Sequence, residues 1–554
     1  MSIGMDIENT LVQSPQYIQD SPVVQAMVQL IRSQAEQIQR QAEQIQRQTE
    51  QIQRQTEQID ALEKTIDELK DEISRLNKTP KRPKLNPNKM EPRNRRKGTF
   101  QGCDSKTSRN ICTPDKKREE VRIAAEGVPP NSRFKGYSEF KVQNLELVVK
   151  ETTYKLEVWQ TPDGQVVRAR LPQQFRGKHF GSELRTLIIN LYAQGMTQPA
   201  IYDFLEGVGV DISPGQINHV LLDEAEDFAE VSEAILQEGL SEAPYIRTDD
   251  TGARHEHKNG YCTHIGGEYF AYYKTTFSKS RKNFLKILCQ GKEGYRINEA
   301  MIWHLYQSGV EDDILNLFEE QKNKRYRRKQ DFSRLLTRLK LYGKKVREQC
   351  LEAALVGFIS EEILREGQVL LSDRAGQFSV FDHAGCWVHM ERPLRKVKAS
   401  SDLIQKELDS VRDAVWDLYR TLKESALTQT GREEVEAKYD VLVAMTSASP
   451  TIRNVIQSFR DYREEMLKAL DHPGLPLHNN DSERDIRGFV KRRKISGSTK
   501  SEKGKKFRDG LASLKQTCFR LGLSFWQYCS DWFSGEPPDL AQLVRERYRA
   551  MAPS

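Results

Sequence analysis

Isoleucine returns every seventh residue near the amino terminus, at Ile31, Ile38, Ile45, Ile52, Ile59, Ile66 and Ile73, and Leu62, Leu69 and Leu76 each follow an isoleucine by three positions. This spacing, with Ile at a and Leu at d, predicts a parallel two-stranded coiled coil over residues 24–77. Residues 34–54 are three near-copies of one polar unit, QAEQIQR, so the d positions of the earlier heptads are Gln41, Gln48 and Gln55. That half of the seam is the weaker one. A lone solvated helix is the competing reading, and it leaves the single phase held along the whole stretch unexplained.

The pattern then changes twice. Between 141 and 170 Val, Thr and Tyr alternate with charged residues, and Pro162-Asp163-Gly164 marks a turn. A small β ribbon is expected there, within a module at 121–175. Residues 176–235 take a helical period: a helix, a turn at Gly195, a second helix capped by Thr197 with Pro199 in its first turn, a turn at 211–214, and a third helix opened by Ser213-Pro214. Three short helices with tight turns fit a helix-turn-helix DNA reader, and equally ordinary helical packing.

From residue 236 strands and helices mix. Residues 245–249, 260–265 and 269–275 read as strands, 280–288 as a helix, 368–373 as a short apolar strand and 511–533 as a closing helical pair. Helical insertions are expected near 291–366 and 401–470. Three meandering strands followed by a helix, with an acid on the first strand, is how a ribonuclease H-like domain begins, although many α/β folds share that order. The expected fold class is therefore multidomain. A disordered tail (1–23), the coiled coil, a basic disordered linker (78–120), the β module and the helix-turn-helix-like region precede an α/β ribonuclease H-like catalytic domain at 236–534, with a tail at 535–554.

Charge sharpens this picture. The net charge is +7, yet residues 78–118 alone hold 14 Lys and Arg against Glu91, Asp104 and Asp115, a local +11 that leaves about −4 for the remainder. A basic stretch in a near-neutral chain is a phosphate contact or a solvated tether. No apolar run is long enough to span a bilayer, and the opening residues lack a signal peptide's basic start and apolar middle. Eight scattered cysteines suit a reduced compartment. A cytoplasmic, nucleoid-associated protein is expected, without membrane contact.

Two acids sit at predicted strand ends, Asp249 and Asp373, and a third, Glu483, in the first turn of a helix that Asn480 or Asp481 could cap. Phosphodiester cleavage needs an activated water and a stabilised leaving oxygen, and two Mg²⁺ or Mn²⁺ ions about 3.5–4 Å apart supply both. Hard cations take oxygen ligands, which suits carboxylates. Each acid also has a plain reading, as turn residue, loop acid or capping-box partner. Asp250 is an alternative to Asp249. Strand alternation favours Asp249, because Ile246 faces opposite to it. The basic run at 484–508, with Arg484, Arg487, Lys491, Arg492, Arg493 and Lys494 nearest the acid, is a solvated face or a phosphate-positioning surface. Cys386 and His389 form a C-x-x-H pair with His383 nearby, too few ligands for a zinc site. Trp387 reads as core.

Three blocks, TDDTGARHEHKNGYCTHIGGEYFAYY (248–273), VLLSDRAGQFSVFDHAGCWVHMERPLRK (369–396) and NNDSERDIRGFVKRRKISGS (479–498), resemble those of the insertion sequence 66 family of bacterial transposases. The resemblance implies Asp249, Asp373 and Glu483 as catalytic metal ligands and a structural role for Cys386 and His389. It further implies double-stranded DNA as partner and a homodimer or higher assembly through the coiled coil. Two departures stand out. The family often carries a Cys-rich zinc module, and here only Cys103 and Cys112 precede the helical region, so no zinc finger is expected. The first block reads Asp-Asp-Thr where Asp-Glu-Thr is usual. Two other readings remain at this point: a catalytically inactive, transposase-derived DNA-binding protein, and a ribonuclease H-like nuclease without strand transfer.

Overall fold

The computed structural model describes scattered residues between 21 and 51 and between 120 and 138, and the stretches 140–172, 178–425 and 428–551. The chain divides into two compact units, Met1–Pro87 with Lys396–Asp409, and Asn88–Arg395 with Ser410–Ser554. In the first unit the described residues between 22 and 51, Gln41 and Gln48 among them, are helical and exposed. The heptad isoleucines, the tail before residue 21, the basic stretch 78–118 and Cys103 and Cys112 lie outside the described residues.

The second unit opens with a hairpin, β1 (Val158–Gln160) against β2 (Val166–Arg168), turning at Gly164 with φ +84°. It is much shorter than the ribbon expected from alternation. Residues 141–157 form no strand, and the hairpin is exposed along both strands. An isolated two-stranded hairpin has no face to bury, so pairing stops where the turn no longer supports it.

Three helices follow: α1 (Ser182–Gln194), α2 (Gln198–Gly207) and α3 (Pro214–Asp223). Their ends obey local chemistry. Gly195 ends α1 in the left-handed region at φ 113°, the Thr197 hydroxyl accepts from Ala200 N, and Ser213 forms a capping box with Gln216. Their apolar faces do not form a separate core. Ile188, Ile201, Leu205, Ile217 and Leu221 join one cluster with α4 (Ala225–Glu242).

A five-stranded mixed sheet lies beyond α4. In chain order it has β3 (Tyr245–His255), β4 (Lys258–Gly266) and β5 (Ala271–Thr276) as an antiparallel meander. After the helix α5 (Arg281–Cys289) comes an insertion holding a short strand pair, β6 (Tyr295–Arg296) with β7 (Arg325–Tyr326). Its helices are α6 (Glu299–Gln307), α7 (Asp312–Glu319), α8 (Lys329–Arg338) and α9 (Lys344–Glu362). β8 (Val369–Ser372) then enters beside β3, and β9 (Asp382–Gly385) beside β8, both parallel, giving the order β5-β4-β3-β8-β9. Side chains alternate between two buried faces. Ile246, Ile265, Tyr272 and Leu370 join the large cluster, while Val369, Leu371 and Ala384 face the other way.

After β9 come the short helix α10 (Trp387–Glu391) and a second helical insertion. It comprises α11 (Asp402–Ser425), α12 (Gln429–Ala444), α13 (Pro450–Asp461) and α14 (Arg463–Leu467). The chain closes with α15 (Asn480–Ser496), α16 (Glu502–Leu521), α17 (Phe525–Ser534) and α18 (Leu540–Arg549). The segment from 535, expected as a tail, thus contains a helix. Leu540, Val544 and Tyr548 are buried, and Arg545 and Arg549 pair with Glu238 and Glu242 of α4. Its period was hidden behind four charged positions on ten residues.

α16 ties the sheet to α4. Asp509 accepts from Thr275 N and Oγ1 at 2.7 and 2.9 Å, and Gly510 lets the two helices touch. A Cβ at Gly510 would lie 2.9 Å from the carbonyl carbon of Phe228. Gly510→Ala therefore sets a gain of about 1 kcal/mol in helix propensity against overlap with backbone costing about 1–3 kcal/mol. A thermal midpoint lower than wild type by several degrees is expected, and an unchanged midpoint would contradict this packing.

Candidate active site

The site begins with strand register. β3 and β8 run parallel, with Tyr245 opposite Val369, Ile246 opposite Leu370 and Arg247 opposite Leu371. Two residues further along the chain stand Asp249, within β3, and Asp373, one residue past the end of β8. Parallel neighbours lie about 4.8 Å apart, and odd-numbered residues here share the face of Arg247 and Leu371. The two carboxylates come near enough at the carboxyl end of β8 for the Asp373 charge to act on Asp249. The strand carrying Asp249 runs on to His255, six residues past the expected end, because it pairs with β4 down to His255↔Lys258. Charged residues at 254–258 mask that extension in the sequence.

The third acid arrives on a helix. α15 starts at Asn480 and carries Glu483 in its first turn, where the helix dipole favours an anion. The residue before it, Asn479, occupies the N-cap position without capping. Its side-chain amide donates instead to Thr248 O at 2.8 Å, and its backbone N donates to the Cys386 thiol at 3.2 Å. Arg247, almost fully buried, donates to Asp481 and to Gly267 O. Asp485, one turn after Asp481, sits beside His264 and Arg520. Sequence reasoning missed Arg247 and Asn479 as residues of this region. The one available signal was a cation two residues into a strand that opens with Tyr245-Ile246.

Electrostatics reports the convergence. Burial, the Asp373 carboxylate and then, more weakly, Asp250 and last Glu483 push Asp249 up from 3.8 to about 7, against a backbone hydrogen bond from Asp250 N. Asp250 is raised by burial too, with Lys279 and a 2.6 Å hydrogen bond from Gln377 opposing, and of the other two acids only Asp373 contributes. Asp249 is therefore the acid that feels both partners. His389 Nε2 lies 3.4 Å from Glu483 Oε1, and burial and Arg392 lower its pKa while Asp373 and Glu483 raise it. Arg392 donates to the same Glu483 oxygen at 2.7 Å. Cys386 is buried, takes a hydrogen bond from Asn479 and donates its own N–H to Ser372 O, and Trp387 is core.

The donor set fits a hard divalent cation. It is all carboxylate, with a mutual repulsion that positive charge relieves. Among the described residues, the ligand atoms that all lie within 4.8 Å of one another are those of His255, Glu256 and Glu502, and the carboxylate oxygens of Asp249, Asp373 and Glu483 do not meet that distance as a set. That group stands at the far end of β3, six residues from Asp249 or roughly 20 Å along the strand. Both His255 ring nitrogens are engaged there, by Thr499 at 2.9 Å and Glu502 at 3.0 Å, so the group pins β3 to α16.

The expected basic residues divide. Arg484, Arg487, Lys491 and Lys494 are exposed at spacings of three, four and three along α15. Arg492 instead covers the Tyr192 ring at 3.3 Å and donates to Tyr192 O and Met196 O, and Arg493 donates to Gly252 O.

The raised Asp249 makes a pH prediction. Between about 4 and 7 the folded chain holds a proton that the unfolded chain has lost, so this residue lowers stability as pH rises through that window and no further above it. In the presence of a chelator, Asp249→Asn is expected to melt a few degrees above wild type at pH 8, with the gap closing near pH 4. Equal midpoints at pH 8 would show that burial and its neighbours do not raise Asp249 in this way.

The family described as "Transposase IS66 family" matches residues 365–507, the span from β8 into α16 that includes Asp373 and Glu483. The chain is also 34% identical over 305 residues to "Uncharacterized protein y4jO" of Sinorhizobium fredii (strain NBRC 101917 / NGR234), covering 54% of this chain and 94% of that protein. With that relative matched over nearly its whole length and the family pattern falling on the strand and helix that bear two of the three acids, the chain belongs to the IS66 family of transposases.

Proposed function

We propose that this chain is a metal-dependent DNA transposase that cleaves at transposon ends and transfers the ends to target DNA, using Asp249, Asp373 and Glu483 in a ribonuclease H-like domain. The observation that supports this reading is that burial, and next to it the Asp373 charge, raise Asp249 to about 7, with Glu483 on the helix adding the least. When bound there, a pair of divalent cations supplies an activated water or 3′-hydroxyl and stabilises the leaving oxygen. Asp249 would hold cations from the middle of β3, Asp373 from just past the end of β8 and Glu483 from the helix.

The rest is done by the chain's own groups. Asp249 must give up its proton before it can ligate, so cation and proton compete for it. The exposed stripe Arg484, Arg487, Lys491 and Lys494 starts one residue after Glu483 and offers phosphate contacts that orient a duplex without reading its sequence. The middle of that stripe is Gly488, where a side chain would meet nothing within 4 Å, so a backbone can approach closely. DNA is the partner this surface suits. No helix among the described residues is long and apolar enough to cross a membrane.

Asp373→Asn and Glu483→Gln are each expected to lower cleavage of cognate end DNA about a thousandfold or more, the size of losing several kcal/mol of charge stabilisation. Retained cleavage by either folded variant would remove the acids from the reaction. The basic residues give a separate test. Arg487→Ala and Lys491→Ala should each weaken duplex binding and reduce the salt slope by about 0.9. Arg492→Ala should lower the thermal midpoint and leave that slope alone. The reverse pattern would mean that the wrong face of α15 has been assigned to DNA.

A further inference from the structure

One motif has no role in the reaction as described: Cys386-Trp387-Val388-His389-Met390-Glu391-Arg392. Its first part is anchorage. Cys386 is held by Ser372 and Asn479, and the buried Trp387 indole donates to Met466 O at 3.0 Å. Glu391, fully buried, is bound by Arg395 and by Arg412 at 3.1 Å. This rigid base presents Arg392 at its carboxyl end. The Arg392 guanidinium donates to Glu483 Oε1 at 2.7 Å and makes no second hydrogen bond among the described residues. Arg487, on the same helix as Glu483, comes only to 3.9 Å of the other oxygen.

This pair differs from those that fasten α15. Arg520 and Asp485 are both 4% exposed, and the Arg247 side chain is likewise 4% exposed, whereas Arg392 is 44% exposed. A buried pair is costly to separate, because each charge is left without water. A half-exposed guanidinium can leave its carboxylate and be solvated, or meet another anion. Its planar fork is well matched to a phosphate.

The geometry points to Arg392 as an exchangeable counter-ion of Glu483. Guanidinium and divalent cation compete for Oε1, and the displaced guanidinium, at the mouth of the site, turns to a DNA phosphate. Binding of the cation and engagement of the backbone are thereby coupled through one side chain. The inference rests on the reading that Glu483 is a metal ligand.

The test titrates Mn²⁺ into the full chain by calorimetry. It also measures binding of a short duplex of arbitrary sequence, with Mn²⁺ present, over a range of salt. Arg392→Gln is expected to bind Mn²⁺ roughly three- to tenfold more tightly, since a competing positive charge is gone. It should also lower the salt slope by about 0.9, one phosphate contact. Arg392→Lys keeps the charge and should lie nearer wild type in both. Unchanged or weaker Mn²⁺ binding by Arg392→Gln overturns the exchange and leaves Arg392 as a fixed support for Glu483. If wild type shows no Mn²⁺ heat that Asp249→Asn and Glu483→Gln abolish, the metal-site reading falls and takes this inference with it.

Discussion

Parallel pairing of β3 with β8 is the constraint on which the rest depends. It is set by apolar packing: Ile246 and Leu370 enter one core, Val369 and Leu371 the other. A slip of one residue would send every one of these side chains to the opposite face. The same register fixes where the next residues fall, so two carboxylates come near each other at the point where β8 ends. Burial and the neighbouring Asp373 charge, both imposed by the core, raise Asp249. Hydrophobic burial thus sustains an electrostatic arrangement that the acids alone would not adopt.

The third acid needs a different kind of force. Ile486 and Phe489 bury one side of α15, and that burial holds the helix down without fixing how it is rotated. Buried polar contacts supply the direction. Arg247 grips Asp481 from the strand that carries Asp249, and Asn479 reaches Thr248 O one residue before that acid. Arg520 and His264 hold Asp485. Losing one partner of such a buried pair costs about 3–5 kcal/mol, far more than a surface pair, so the rotation that turns Glu483 toward Arg392 and His389 is strongly specified.

Much of this was legible in the sequence, and the failures are instructive. Helix ends governed by local chemistry, at Gly195, Thr197 and Ser213, fell where their residue types require. The three meander strands and the short strand before Asp373 were visible because alternation and apolar runs report burial directly. The β ribbon was over-read, since alternation at 141–157 has no partner strand among the described residues to answer it. Helix α18 was under-read, because it is covered by ion pairs to α4 that only the tertiary structure supplies. Asn479 looked like an unremarkable neighbour of two possible caps, yet its amide spans from helix to sheet. Contacts between residues more than two hundred positions apart leave no local period to read, and Arg247, Asn479 and Arg492 all belong to that class.

α15 shows why the basic residues had to divide. One turn of helix can point only a few side chains in any direction, and this helix has four duties. Ser482, Asp485, Ile486 and Phe489 face the interior. Glu483 faces Arg392 and His389. Arg492 and Arg493 reach backward to Tyr192, Met196 and Gly252, fastening the three-helix region and β3 to the same rod. The remaining face carries Arg484, Arg487, Lys491 and Lys494 into solvent. A phosphate backbone lying along that stripe would be referenced, through one rigid helix, to the acids at one end and to the three-helix region at the other. Flexible lysines on a loop would give comparable attraction without that alignment. Attraction alone concentrates DNA, whereas cutting one bond requires a phosphate held within a fraction of an ångström of its attackers.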